Sequence, residues 1–346
     1  MISEKITVVI PTYNKAEYIE QTIESVFRQT YTDWEIVIVD DCSKDNTEKI
    51  VRKYLSEKIR YFKHSTNWGP GATFNDGIEK ANTEYVTLIA SDDVLLPNHL
   101  ALVMNEFQNN KSVETVFTRL KVIDENGNDL NYIIEQKPGN KYELLNYLFY
   151  TGNAMPSPGI AFKKNLFSKI STFNNSLIQL HDYDLNVRAL MHSKTSTILE
   201  PTVLYRRFSD ASANLSGYTN WLHMCHKAER KTILDNFLKL NYDDMKKIFP
   251  QLENCTEQEI MLKFLMDTCI KDDEILSTWA FERLIKYIEK NSDIFKNDLF
   301  KFQYKDYIDL YKVHEKIHEA KAVKLTHKQK LFNTVKTIIK KIFGLR

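Results

Sequence analysis

Four cysteines in 346 residues, scattered as Cys42, Cys225, Cys255 and Cys269, form no C-x-x-C pair, so neither a zinc ribbon nor a dithiol redox centre is expected. Nor do they form the dense disulfide framework of small secreted domains, which points to a reducing, cytoplasmic home. No apolar run reaches 18 residues, and the first apolar stretch ends after five residues at Pro11. Neither a transmembrane helix nor a secretory signal is therefore expected. Net charge is also lacking: 47 Lys and Arg face 46 Asp and Glu, which excludes the basic footprint of a nucleic-acid binder. A hydrophobic fraction of 43% and a charged fraction of 27% exclude wholesale disorder and fibrous repeats. The length suits two structured units, with one large core as the alternative.

What is present is unevenly spread. Residues 321–346 carry eight basic side chains and no acidic one. There Leu331, Val335, Ile338 and Ile342 share one helical stripe, with Lys330, Lys336, Lys340 and Lys341 opposite. This basic amphipathic helix either packs on the body or on a second subunit of a homo-oligomer, or lies on an anionic membrane surface as a peripheral anchor on the inner face.

The first hundred residues alternate β-branched runs with amphipathic stretches, the pattern of a doubly wound, mainly parallel α/β sheet with crossover helices. Strands are expected at Ile6–Ile10, Glu35–Val39, Ile59–Phe62 and Tyr85–Ile89. Helices are expected around Ile19–Phe27, Ile50–Tyr54, Gly71–Ala81 and His99–Asn109. A strand at Glu114–Thr118, a hairpin turn at Asp124–Asn128, a helix at Tyr142–Tyr150, a helix from His181 and a strand at Ser196–Leu204 complete the first domain, 1–216. Residues 217–320 hold few Gly or Pro and many apolar residues at three-to-four spacing, and read as a helical domain.

Ligands of open parallel sheets bind beyond the carboxyl ends of the strands. Three polar clusters stand there: Pro11-Thr12-Tyr13-Asn14, Asp40-Asp41-Cys42-Ser43 and Ser91-Asp92-Asp93. Paired carboxylates on one edge repel unless a cation or a donor-rich ligand lies between them, and a hard divalent cation with a phosphorylated ligand meets that need. The plainer alternative is that Ser43 or Asp45 caps the helix near Ile50. The stretch Gly69–Phe74 mimics a dinucleotide fingerprint but has Phe at its last position and does not follow the first strand.

Five segments together resemble the family 2 glycosyltransferases of GT-A fold. They are Val8-Val-Ile-Pro-Thr-Tyr-Asn14, Ile36-Val-Ile-Val-Asp-Asp-Cys-Ser43, Asn67-Trp-Gly-Pro-Gly-Ala-Thr-Phe-Asn-Asp-Gly77, Ala90-Ser-Asp-Asp93 and Leu180-His-Asp-Tyr-Asp-Leu-Asn-Val-Arg188. The resemblance covers about Ile6 to Ser212. It implies an inverting hexosyltransferase that moves a sugar from a nucleotide-diphosphate donor, a UDP-sugar by preference, to a hydroxyl of a surface polysaccharide or a lipid-linked glycan. By position it implies Asp182 as general base and Asp93 as ligand of Mn²⁺ or Mg²⁺. The nucleotide would be held by Pro11, Thr12, Tyr13, Asn14, Asp40 or Asp41, Asn67, Gly69, Asn75, Asp92 and Arg207. The chain departs from the family pattern at Ala90, where Asp is usual, at Phe74, where Arg is common, and at His181, where Glu is usual. A sugar nucleotidyltransferase would open with a basic Gly-rich loop after the first strand, which is not found. A glycosidase would use paired carboxylates without a nucleotide edge, and a non-catalytic nucleotide-sugar binder would have no need of Asp182.

Overall fold

A computed structural model describes residues 4–210, 220–296 and 302–319. These residues fall into two compact units, one ending at Glu229 and the other starting at Arg230. The expected domain limit at 216 and the basic tail 321–346 lie outside the described residues.

The first unit is built on a mixed sheet. Its strands are β1 (Ile6–Thr12), β2 (Trp34–Asp40), β3 (Ile59–Lys63), β4 (Tyr85–Leu88), β5 (Val94–Leu95), β6 (Thr115–Ile123), β7 (Asp129–Ile134), β8 (Ala161–Lys163) and β9 (Thr195–Arg206). They are ordered 3-2-1-4-8-6-9-5, with β7 paired to β6. The first four strands are parallel neighbours, as the βα alternation requires. Beyond β4 the pairings are antiparallel except for β6 with β9. Apart from that pair, the parallel character belongs to the half of the sheet formed by β1 to β4.

Burial explains the continuous apolar runs. Every residue of β2 is buried, and β1 has Ile6, Val8, Val9 and Ile10 without exposure, because helices cover a parallel sheet on both faces. Helix α1 (Ile19–Phe27) presents Ile19, Ile23 and Val26 to this core, whereas Phe27 is half-exposed and packs edge-on against Trp34. After the short helix α2 (Thr47–Val51), helix α3 (Pro70–Lys80) approaches β1 so closely that a Cβ at Gly77 would lie 2.3 Å from Val9 Cγ1. Helices α4 (His99–Asn109), α5 (Lys141–Thr151), α6 (Phe167–Ile170) and α7 (His181–His192) complete the unit. Asn140 and Glu143 form a reciprocal capping box at the start of α5.

The second unit is helical, as expected. Helix α8 (Asn220–Leu234) runs across the division, followed by α9 (Tyr242–Ile248), α10 (Ile260–Cys269), α11 (Glu274–Lys290) and α12 (Tyr304–Glu319). Its core is an aromatic chain through Phe237, Phe249, Phe264 and Trp279, with successive ring centroids 6.2, 4.6 and 6.2 Å apart. Asp235 accepts hydrogen bonds from Trp279 Nε1 at 2.8 Å and from Arg283 at 2.7 and 2.8 Å, which satisfies the polar edge of that chain.

Candidate active site

A cavity of about 690 Å³ opens at the carboxyl edge of β1, β2 and β4. Its walls come from the loop after β1, the turn before β5, the start of α3, the 157–160 segment, the first turn of α7 and the end of β9. Of the residues singled out in the sequence, Pro11, Thr12, Tyr13, Asn14, Asp41, Asn67, Gly69, Asp92, Asp93 and Asp182 all line it. Three others sit elsewhere. Asp40 is fully buried behind the wall, where its carboxylate accepts hydrogen bonds from Ser43 N at 2.7 Å and Tyr61 Oη at 2.6 Å. Asn75 faces the 173–175 loop, donating to Phe173 O at 2.9 Å and accepting from Phe173 N at 2.8 Å. Arg207 is outside the lining; its neighbour Arg206 is in it.

The loops after β1 and β2 are fastened to each other. Asn14, at φ 50°, donates its backbone N–H to Ser43 Oγ at 2.9 Å and accepts from Lys44 N at 2.8 Å through Oδ1. Asp45 accepts from Ala16 N at 3.0 Å and from Thr47 N at 3.0 Å, so Ser43 and Asp45 join two loops, and Asp45 also reaches the first turn of α2. Asp41 then fixes the third wall. Its carboxylate accepts from Trp68 N at 2.7 Å and Gly69 N at 2.9 Å, and pairs with His64 Nδ1 at 2.8 Å. Gly69 holds φ 85° at the entry to α3, a conformation that L side chains rarely adopt.

Two carboxylates share the turn ahead of β5. Asp92 forms an ion pair with Lys15 Nζ at 2.6 Å, and that ammonium also sits 4.4 Å from the Phe208 ring. Asp93 is 1% exposed. Its Oδ1 accepts from Arg206 N at 2.8 Å, while Oδ2 is buried without a hydrogen-bond partner. Burial, reinforced by the Asp92 charge, holds the Asp93 carboxyl well above the usual carboxylate range. The Arg206 guanidinium is engaged throughout, donating to Asp92 O, Asp124 O, Glu125 O and Gln21 Oε1 at 2.6–3.1 Å. It therefore braces the turn and the β6–β7 hairpin.

An orphaned buried oxygen beside a second carboxylate is a donor set suited to a hard divalent cation, which typically takes one or two protein carboxylates and completes its shell with substrate phosphates and water. The residues present thus fit Mg²⁺ or Mn²⁺, although no group of three or more His, Cys, Asp or Glu gathers around one point among the described residues.

At the other side of the cavity Asp182 occupies the first turn of α7. Its Oδ2 accepts from Ser157 Oγ at 3.0 Å and Asn153 Nδ2 at 3.2 Å, and its Oδ1 from Tyr183 N at 2.7 Å. Asn186, one turn on, donates to Ser157 Oγ at 3.1 Å. Gly159 makes this possible: at φ 78° its missing side chain leaves room for Val203 and His99, so the chain can bring Ser157 to the cavity. His181 is 7% exposed, packs against the Phe173 ring, and has Nδ1 without a partner. Six buried side-chain polar atoms lack a partner among the described residues, and those of Thr12, Asp93, Gln179 and His181 belong to this one lining. Since such groups are costly in an apolar surrounding, their concentration marks the cavity as a binding site.

The model of the family "Glycosyl transferase family 2" matches residues 7–171, the segment that carries the first four polar walls. Residues 7–171 are a family 2 glycosyltransferase domain. An uncharacterized glycosyltransferase of Methanocaldococcus jannaschii is 29% identical over 216 residues, 61% of this chain and 73% of that protein. TuaG of Bacillus subtilis, named as a teichuronic acid biosynthesis glycosyltransferase, is 32% identical over 140 residues, 40% of this chain and 55% of its own length. The match to TuaG thus spans about half of that relative. Among solved structures, S. aureus TarS 1-349 in complex with UDP-GlcNAc gives a TM-score of 0.54 at 19% identity, covering 91% of each chain. The fold is accordingly that of the GT-A glycosyltransferases, and the family 2 domain is an enzyme domain.

Proposed function

We propose that this glycosyltransferase moves a sugar, a hexose or N-acetylhexosamine, from UDP to a hydroxyl of a surface polysaccharide or lipid-linked glycan, with inversion at the anomeric carbon. One observation carries the reading: a single cavity is lined by the nucleotide-side residues Pro11–Asn14 and Asp41, the Asp92–Asp93 turn, and the oriented carboxylate of Asp182. The UDP-GlcNAc bound by TarS and the teichuronic acid in the name of TuaG support the donor and acceptor classes.

In this reading the acceptor hydroxyl, a poor nucleophile, gives its proton to Asp182 as its oxygen bonds to the anomeric carbon. The bond from that carbon to the diphosphate breaks on the opposite face, which inverts the configuration. Ser157 and Asn153 hold the carboxylate in one orientation for this transfer. Asp93, with Asp92 once released from Lys15, would hold Mg²⁺ or Mn²⁺, which when bound offsets charge on the departing diphosphate. Lys15 sits where it can follow the diphosphate, because its partner Asp92 is on the same wall.

A screen of UDP-, GDP- and dTDP-sugars for hydrolysis, with and without Mn²⁺ or Mg²⁺, tests the donor. Turnover is expected with a UDP-sugar and is expected to stop in chelator. Indifference to every UDP-sugar, or full activity in chelator, overturns the donor or the metal respectively.

A further inference from the structure

The segment bearing the proposed base is held from outside by one buried carboxylate. Glu229, on α8 and 7% exposed, accepts hydrogen bonds from three consecutive backbone N–H groups: Ile178 at 2.8 Å, Gln179 at 3.0 Å and Leu180 at 2.7 Å. Ile178 N bonds to one carboxylate oxygen, Gln179 N and Leu180 N to the other. Leu180 is the N-cap residue of α7 and lacks a capping side chain of its own. The first N–H groups of a helix need partners, and an anionic acceptor satisfies them best. Here that acceptor arrives from a point 49 residues downstream.

The three clamped residues end directly at His181 and Asp182, and Gln179, His181 and Asp182 all line the cavity. On its own helix the Asp182 carboxylate is tethered by Tyr183 N, so the direction in which α7 starts fixes where it meets Ser157 and Asn153. A shift of about 1 Å in a reacting group can cost on the order of a hundredfold in rate. We infer that Glu229 is a positioning residue: it touches no substrate, and it sets the location of Asp182 by clamping the 178–180 backbone. This rests on the reading of Asp182 as the base.

Glu229→Gln keeps the volume but turns one carboxylate oxygen into an amide that donates toward backbone donors, so at least one clamp bond is lost and replaced by a clash of like polarity. The expected result is a fall in kcat of about 10- to 100-fold, with the KM for the donor and the affinity for UDP within about threefold of wild type. Asp182→Asn is measured alongside, together with the double variant. If Glu229 acts through Asp182, the double variant is no slower than Asp182→Asn by more than about threefold, because effects acting through one group do not add. Losses that multiply, an unchanged kcat in Glu229→Gln, or a simultaneous loss of UDP binding each overturn the inference, the last because the carboxylate would then be holding the domain and not the segment. The failure of the base is separate: it is read from an Asp182→Asn variant that turns over at the wild-type rate.

Discussion

Asp41 offers a sharp test because its surroundings assign it a structural share that a ligand contact would not have. In Asp41→Ala the N–H groups of Trp68 and Gly69 lose a carboxylate acceptor at 2.7 and 2.9 Å, and His64 Nδ1 loses its partner at 2.8 Å. A hydrogen bond to a charged group contributes about 1.5–3 kcal/mol. Water can reach this loop, where Trp68 is 55% exposed, so the low end applies, giving about 3 kcal/mol for the two backbone bonds together. For a domain of this size each kcal/mol moves the melting temperature by about 2–4 °C, so ligand-free Asp41→Ala is expected to melt roughly 6–12 °C below wild type. Gly69 and Pro70 border the cavity, so UDP affinity is expected to fall as well, by about tenfold or more, equivalent to about 1.4 kcal/mol. Thermal melts without ligand and calorimetric titration with UDP read the two effects separately. A ligand-free protein melting within about 2 °C of wild type would refute the structural share and leave Asp41 as a ligand contact alone.

Three further outcomes follow from the same geometry. Asp182→Asn is expected to keep the fold and UDP affinity but lower kcat by roughly 10²- to 10⁴-fold, and NMR of the wild-type product is expected to show an inverted anomer; a retained anomer removes Asp182 as an inverting base. Asp93→Ala is expected to abolish both turnover and the enhancement of nucleotide binding by Mn²⁺ or Mg²⁺, which titrations with and without metal will reveal. His99, without exposure and set between Thr87 and Thr202, is pushed down from 6.5 to about 3 by burial. The unfolded chain therefore takes up this proton below pH 6.5 while the folded chain does not, and stability falls as pH drops through that window. Between pH 7 and pH 5 the loss from His99 is about 2 kcal/mol; urea melts of His99→Gln should show a correspondingly smaller slope, and equal slopes would remove His99 as the source.

Much of the scaffold was legible because its strands are buried on both faces. Short, β-branched runs such as Val8–Ile10 and Ile36–Val39 read as interior strands, and helices such as His99–Asn109 carry their own period. The strands that escaped, Val94–Leu95 and Ala161–Lys163, are two and three residues long, too short for any periodicity to register. The antiparallel pairing of β8 beside β4 was likewise hidden, since it depends on where a long loop returns and not on composition.

The site was legible as a set of places and much less as a set of contacts. The rule that ligands meet the carboxyl edge of strands pointed to loops that line the cavity, and the family motifs pointed to Asp93 and Asp182, which line it too. What each side chain does there depends on partners far along the chain: Lys15 on Asp92, Asn75 on Phe173, Glu229 on Ile178. The exchange of Arg207 for Arg206 shows the physical reason most plainly. In a strand, neighbouring residues face opposite sides, so one step of register decides which arginine enters the site. The pairing of β9 with β6 shifts register on either side of Arg119, so alternation along β9 does not carry one face unbroken to the strand end. Arg206 thus turns inward and is consumed in bracing the Asp92–Asp93 turn, which leaves Lys15 as the cation of this wall whose partner is a carboxylate that a metal would also claim. Charge on this wall is therefore set by a lysine in the first loop, at a position that composition and spacing gave no reason to single out.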